Sequence, residues 1–271
     1  MSKFAFLNDG FIEERSVTLH FSDLAFQRGY GVFDFFRLAG NKPLFLQDHL
    51  ERFYFSAQQM HLPVPFEESE LKAIIWQLIQ KNKLPNTGIR ISLTGGYSTD
   101  GFLTGKPNLI VSQHAFAPPT AEQQKVGIKL LSHSYQRQLP QIKSIDYLMA
   151  VWLQPFKNQE GADDILYHSN GFVTECPRSN FFLVTDTGTI VTPDENVLKG
   201  ITRKKVIEVA KETFTVEERP LHIEELKTAR EAFITSTTKQ ILPVRNIDGI
   251  TLPERKVSSE LLQKFRDKYC L

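Results

Sequence analysis

The sequence contains little cysteine and no long apolar run, and both absences narrow the class of protein. Its 271 residues include two cysteines, Cys176 and Cys270, too few for a disulfide framework or a cysteine-based zinc site. No run of about 18 apolar residues is available to span a membrane. Residues 1–6 lack the apolar core of a signal peptide. We therefore expect a cytoplasmic protein with no membrane segment and no metal site.

The sequence also lacks a charge bias. Its 32 Lys and Arg residues nearly balance 31 Asp and Glu residues, giving a formal net charge of +1 at pH 7. Such a chain has no field of one sign to attract nucleic acid or anionic lipid. The hydrophobic fraction of 41% is ordinary for a globular protein with a substantial core. We expect no nucleic-acid partner and no membrane partner.

Hydrophobic periodicity predicts two α/β domains, each a mostly antiparallel or mixed sheet with flanking helices. Residues 117–124 are polar and contain two prolines, so they are the predicted linker between domains 1–116 and 125–271. The predicted helices are 46–57, 68–81, 145–153, 202–212 and 258–268. The main predicted strands are 4–7, 11–13, 32–38, 89–94, 107–112, 126–132, 164–167, 172–175, 181–184 and 231–236.

A lysine in the second domain is the first candidate for chemistry. Lys143 ends an extended segment with apolar neighbours and directly precedes a helical pattern. Burial lowers the pKa of an ammonium group, and the neutral amine can attack an aldehyde to form a Schiff base. Because most lysines are solvated surface charges, the interpretation depends on other groups in the chain.

Four further features supply such groups. Glu175 has apolar neighbours on both sides, and a buried acid beside a pyridine nitrogen would keep that nitrogen protonated. Gly200, followed by Thr202 as the predicted N-cap, opens a helix whose N-terminus could bind phosphate; an ordinary capped helix is the alternative. Residues 235–238 form a hydroxyl-rich turn, and Arg52 could add a fixed positive charge.

Taken in order, these motifs resemble those of the class IV aminotransferases, the pyridoxal-phosphate enzymes of fold type IV. The family includes branched-chain aminotransferases, D-amino acid aminotransferases and aminodeoxychorismate lyases. The resemblance covers nearly the whole chain. The matching segments are His49-Leu50-Glu51-Arg52-Phe53, Ile142-Lys143-Ser144, Val173-Thr174-Glu175 with Ser179-Asn180-Phe181, Leu198-Lys199-Gly200-Ile201-Thr202-Arg203, and Thr235-Ser236-Thr237-Thr238 with Pro243-Val244.

The resemblance implies roles for individual residues. Lys143 would be the catalytic lysine that forms the Schiff base with pyridoxal 5'-phosphate, and Glu175 would pair with the pyridine nitrogen. The remaining cofactor-binding positions that it implies are Arg52, Tyr147, Gly200, Ile201, Thr202, Ser236 and Thr237. It also implies a homodimer with the active site near the domain and subunit junction.

Three kinds of position bear on the substrate: those aligned with the D-amino acid enzymes, a strand arginine, and the hydroxyl-rich turn. Where D-amino acid enzymes carry a carboxylate-binding arginine and a tyrosine, this sequence has Gly95 and Phe33, which favours L-amino acids. Arg90 matches a pocket arginine of branched-chain enzymes, or else is an outward strand arginine, and Thr238 is assigned to the substrate with Phe33 and Arg90. We predict an aminotransferase acting between a hydrophobic L-amino acid, with the branched-chain type favoured, and a 2-keto acid. The alternatives are an aminodeoxychorismate lyase, a D-amino acid aminotransferase, and a protein that keeps the fold without turnover.

Overall fold

The computed structural model describes residues 3–271, which divide into two compact units. The first unit contains the described residues up to Phe116 together with Ile142–Asp146. The second contains Ala117–Gln141 and Tyr147–Leu271. The chain therefore contributes to the first unit twice, and its second contribution carries Lys143.

The segment Ile142–Asp146 belongs to the first unit because it pairs with a strand there. Val32 and Ser144 form an antiparallel bridge, and the Phe33 amide donates a 3.0 Å hydrogen bond to the Lys143 carbonyl. The sequence-based division had assigned Lys143 to the second domain. A boundary drawn at a polar linker cannot reveal pairing between residues so far apart in the chain.

The first unit is built on an antiparallel sheet with two longer helices. Its elements are β1 (Phe4–Leu7), β2 (Gly10–Glu13), α1 (Leu24–Arg28), β3 (Gly31–Ala39), β4 (Lys42–Pro43), α2 (Leu46–Gln59), α3 (Glu68–Asn82), β5 (Gly88–Thr94) and β6 (Leu109–His114). The six strands lie in the order β2-β1-β6-β5-β3-β4, and every adjacent pair is antiparallel.

Alternation along the strands creates the core of this unit. On β5, Ile89, Ile91 and Leu93 are fully buried, in one apolar cluster with Leu50 and Phe53 of α2. Burial of each such side chain stabilises the fold by about 1.5–3 kcal/mol. The opposite face of β3 and β5 is thereby left for the residues that alternate with the core positions.

The second unit is built on a mixed sheet. Its elements are α4 (Ala121–Val126), β7 (Ile128–Ser134), α5 (Leu148–Trp152), α6 (Gln154–Gln159), β8 (Asp164–Ser169), β9 (Phe172–Val173), β10 (Glu175–Cys176), β11 (Ser179–Val184), β12 (Ile190–Thr192), α7 (Ile201–Ala210), β13 (Val216–Glu218), β14 (Leu221–His222), β15 (Glu231–Ser236), β16 (Gln240–Ile247), β17 (Ile250–Thr251) and α8 (Lys256–Tyr269).

The strand order of this sheet is β13-β12-β11-β15-β16-β7-β8-β9-β14. Strands β10 and β17 pair with β11 and β16, respectively. The pairs β7–β8, β7–β16 and β12–β13 are parallel. Within the described part of the chain, no helix has the length and apolar character needed to cross a membrane.

Short helices are where the structure departs from the sequence prediction. Helix α1 was not among the predicted helices, although the Asp23 side chain accepts the Ala25 amide and Gly29 ends the helix at a φ of 64°. Half of the predicted linker is α4, which begins with a capping box between Thr120 and Gln123. Helix α5 begins three residues later than predicted, because the preceding residues pair with β3. Each helix is too short to produce a clear hydrophobic period.

We predict that Glu231→Gln destabilises the second unit. The fully buried Glu231 carboxylate accepts hydrogen bonds from the Val257 amide (2.8 Å) and from the amide and hydroxyl of Ser258 (3.0 and 3.1 Å) at the start of α8. A neutral amide loses charge-assisted bonds, so we expect the free energy of unfolding to fall by about 2 kcal/mol in urea titrations. Glu254→Gln, which removes an exposed ion pair with Arg230, is the control and should change it by less than about 1 kcal/mol. Equal losses in both variants would contradict the capping role.

Candidate active site

The backbone around Lys143 is held on two sides. Its carbonyl accepts the Phe33 amide, and its own amide donates a 3.2 Å hydrogen bond to the Oγ of Ser56, a buried residue of α2. The side chain is half-buried, with Nζ lying 4.6 Å from the centre of the Phe33 ring. The amine is thus kept against an aromatic face of the first unit.

The same aromatic ring contacts a second cation. The guanidinium carbon of Arg90 lies 4.0 Å from the centre of the Phe33 ring, within the range of a cation–π interaction, and its Nε donates to Ser92 Oγ. Arg90 lies on β5 between the buried Ile89 and Ile91, so it faces away from the core as the alternation predicted. The structure therefore brings together the predicted residues Lys143, Phe33 and Arg90.

Arg52 projects from α2 onto a buried carboxylate. Its Nε and Nη2 donate to the two oxygens of Asp34, each at 2.9 Å. The Nδ1 of His49, one helical turn earlier, lies 2.7 Å from Asp34 Oδ1. Asp34 was not among the predicted site residues, although a carboxylate within the apolar strand Val32–Leu38 was the available signal.

Burial and the neighbouring charged groups together set the pKa values of Asp34 and His49. Burial alone would raise the pKa of Asp34, but the charge of Arg52 and the hydrogen bonds from Arg52 and His49 outweigh it and lower that pKa. Burial lowers the pKa of His49, with Arg52 and Lys143 acting in the same direction, and this outweighs the opposing effect of Asp34. At neutral pH the cluster thus contains an ionised Asp34 and a neutral His49, whose Nδ1 donates to the carboxylate.

The second unit contains the other buried carboxylate. Glu175 is only 4% exposed, and Arg137 Nη1 donates to its Oε1 at 2.7 Å. The Leu198 amide donates to its Oε2 at 3.1 Å. Burial alone would lower the pKa of Arg137, but Glu175 raises it, so the pair is held in its ionised form. Arg137 lies in an irregular loop and carried no sequence signal.

Glu175 belongs to a row of polar residues across three adjacent strands. It lies opposite Asn180, and Asn180 lies opposite Thr235 on the next strand. Asn180 Nδ2 donates to the Leu198 carbonyl at 2.7 Å. A Cβ on Gly200 would lie 2.1 Å from Asn180 Oδ1, so any larger residue at the start of α7 would displace the Asn180 side chain.

The N-terminus of α7 differs by two residues from the prediction. Gly200 is the N-cap, and the buried Ile201 and Thr202 occupy the first two helical positions. Thr202 was predicted as the cap, but the strand-like backbone of Gly200 places the helix start earlier. In an α-helix the amides of these first positions have no intrahelical acceptor, so they can bind an anion.

The remaining predicted residues also lie in the second unit. Ser236 ends β15, and its Oγ accepts the Lys239 amide at 3.2 Å, which closes the turn containing Thr237 and Thr238. Tyr147 lines a cavity of about 300 Å³ together with Asp164 and Arg178. It therefore lies at a cavity of its own unit.

The residues present fit the chemistry of pyridoxal phosphate. Each unit by itself contains groups that suit part of this cofactor: the first has an amine and a fixed arginine, and the second has a buried carboxylate and a helix N-terminus. In the second unit, Thr235 Oγ1 is fully buried without a hydrogen-bond partner in the described structure, which leaves one donor available to a ligand. A pyridine nitrogen, an aldehyde and a phosphate each have a matching group in this set.

Comparisons with known proteins support the same interpretation. Residues 31–247 match the family model of the class IV amino-transferases. A Methanocaldococcus jannaschii protein, provisionally named a branched-chain-amino-acid aminotransferase, is 32% identical over 97% of this chain and 94% of its own. A Listeria monocytogenes D-alanine aminotransferase is 30% identical over 96% and 93%, respectively.

A solved structure extends the similarity to the fold. The branched-chain amino acid aminotransferase of Escherichia coli has a TM-score of 0.92 and 26% identity, covering 99% of this chain and 95% of that one. The predicted fold class, a two-domain fold type IV enzyme, is confirmed by this match, as is the family resemblance.

We predict that His49→Phe weakens the dependence of stability on pH. A residue whose folded pKa lies below its ordinary value of 6.5 stabilises the fold above that value, and this contribution is lost as the pH falls. The free energy of unfolding should therefore decrease from about pH 7 to about pH 5 more steeply in wild type, by at most about 1.4 kcal/mol per pH unit from His49.

Urea unfolding at several pH values measures this difference. The surface variant His20→Gln is the control and should follow wild type. Identical slopes in wild type and His49→Phe would contradict a neutral buried His49.

Proposed function

Because the chain belongs to the class IV aminotransferases, which are pyridoxal-phosphate enzymes, we propose that it transfers the amino group of a hydrophobic L-amino acid, of branched-chain type, to a 2-keto acid. The observation that carries the substrate class is the apolar Phe33 ring, which contacts both the Lys143 amine and the Arg90 guanidinium. The two relatives with branched-chain names support the same choice.

We assign the site residues from their surroundings. Lys143 is the catalytic lysine, Glu175 pairs with the pyridine nitrogen, and Arg52 contacts the phosphate. The amides of Ile201 and Thr202 after Gly200, and the hydroxyls of Ser236 and Thr237, add donors to the phosphate, and Tyr147 completes the cofactor set. Phe33, Arg90 and Thr238 contact the substrate, with Arg90 binding its carboxylate.

The proposed chemistry divides between the cofactor and the chain. When bound, pyridoxal phosphate supplies an electron-withdrawing ring that stabilises negative charge at the substrate Cα. The Nζ of Lys143 removes the Cα proton as a neutral amine and returns a proton later in the turnover. Arg137 keeps Glu175 ionised, so that this carboxylate can hold a proton on the ring nitrogen.

A D-amino acid aminotransferase is the second candidate, favoured by the Listeria relative. The D-amino acid enzymes that the sequence resembles carry an arginine at the position of Gly95. A Cβ there would lie 2.9 Å from Leu24 Cβ and 3.0 Å from Tyr30 Cδ1. A longer side chain does not fit without movement of both neighbours, and this packing argues for the L-enantiomer.

We also propose that the enzyme is a cytoplasmic homodimer. The family resemblance supports the dimer, and the free cysteines Cys176 and Cys270 suit a reducing compartment. Sedimentation at working concentration should give twice the mass of the chain. A stable monomer with full activity would contradict the dimer.

The absorption spectrum of the purified enzyme tests the function. We expect a visible cofactor band that is lost on adding L-leucine, L-isoleucine or L-valine and is restored by a 2-keto acid. Loss of the band with D-alanine alone would favour the second candidate. Pyruvate release from aminodeoxychorismate without a keto acid would instead identify the lyase.

Variants of the proposed site provide the controls for this experiment. Lys143→Ala should keep its circular dichroism and lose both the visible band and turnover, whereas the exposed Lys125→Ala should match wild type. Glu175→Gln should retain the cofactor and lose most of the rate, because the ring nitrogen would no longer be held protonated. Turnover by Lys143→Ala would overturn the assignment.

A further inference from the structure

A buried carboxylate of the first unit has no part in the proposed chemistry. Asp34 is fully buried on β3, between the fully buried Val32 and Phe36 of the apolar core. Burying an ionised carboxylate is costly, and even a paired charge often adds no net stability over apolar residues of similar size. Its presence in the core therefore calls for a role other than stability.

The partners of Asp34 fix an orientation. Arg52 uses Nε and Nη2 on the two carboxylate oxygens, and His49 Nδ1 donates to one of them. A two-bond fork of this kind determines the plane of the guanidinium. The Nη1 of Arg52 makes no hydrogen bond to the described residues, so one edge of the side chain is left for a ligand.

The cluster of Asp34, Arg52 and His49 carries no net charge. What it offers an anion is therefore the fixed direction of the Arg52 guanidinium. Asp34 is negative, Arg52 is positive, and His49 is neutral because burial lowers its pKa. Asp34 therefore reduces the general attraction of this region for anions while it restricts Arg52. A restricted arginine loses less side-chain freedom when it binds a ligand, and this preorganisation strengthens binding.

We infer that Asp34, itself held by His49, is a positioning residue that fixes Arg52 for the cofactor phosphate. The inference rests on the proposed function, in which Arg52 contacts that phosphate. Asp34 then acts only through Arg52. Its effect on the cofactor should depend on the phosphate and should disappear when Arg52 is replaced.

The test compares two ligands that differ in the phosphate. Full-length enzyme is stripped of cofactor and titrated with pyridoxal phosphate and with pyridoxal, both followed by visible absorbance. The ratio of their dissociation constants isolates the phosphate contribution. The variants are Asp34→Asn, Arg52→Gln, the double variant and His49→Phe, with Glu231→Gln as the matched control for loss of a buried carboxylate elsewhere.

We expect Asp34→Asn to reduce the preference for pyridoxal phosphate about tenfold and His49→Phe about threefold. Glu231→Gln should lose stability and keep the wild-type preference. In the Arg52→Gln background, Asp34→Asn should have no further effect, which is the non-additivity of residues acting through one group.

Each alternative outcome contradicts a specific step. If Arg52→Gln lowers the preference and Asp34→Asn does not, the positioning role is wrong and the proposed function stands. If neither variant lowers it, Arg52 does not contact the phosphate, and both assignments fail. If Asp34→Asn does not fold, an unchanged preference in His49→Phe overturns the inference.

Discussion

The pairing of a short loop segment with strand β3 is the constraint on which the candidate site depends. Residues Ile142–Asp146 leave the second unit and bond to β3 through Val32 and Phe33. This pairing fixes the Lys143 backbone, and the Phe33 ring then contacts the lysine amine. A lysine on an unpaired loop could explore many positions. Main-chain hydrogen bonds to a central sheet remove that freedom before any ligand binds, as catalysis by a positioned amine requires.

Two buried carboxylates, one in each unit, share one design. Asp34 is matched by Arg52, and Glu175 by Arg137. Burial alone would favour the protonated acid at Asp34, and the nearby guanidinium outweighs that preference. In the second pair, Glu175 raises the pKa of Arg137. The two pairs differ in which of their two groups is left to contact a ligand. In the first pair the arginine is the group that we propose to meet the ligand, whereas in the second pair the carboxylate is.

Long elements with a clear period could be predicted from the sequence. Helix α2 and strand β5 appear within a residue or two of their predicted bounds, because one buried face imposes its period on each. Short elements could not, since α1 and α4 are set by single caps at Asp23 and Thr120. The structure groups Lys143 with the first unit, across the predicted boundary, for another reason. Pairing across the sheet leaves no local mark in composition.

The sequence by itself determined the family, the cofactor and the candidate residues that carry a recognisable chemical group in a motif, such as Lys143, Glu175 and Gly200. Local residue order is enough for these, because each motif is a contiguous segment with its own chemistry. Only the tertiary structure decided that Asp34 restrains Arg52 and that Arg137 balances Glu175. Charge pairing in a protein interior depends on distance in space and on burial, and neither quantity is encoded at any single position of the chain.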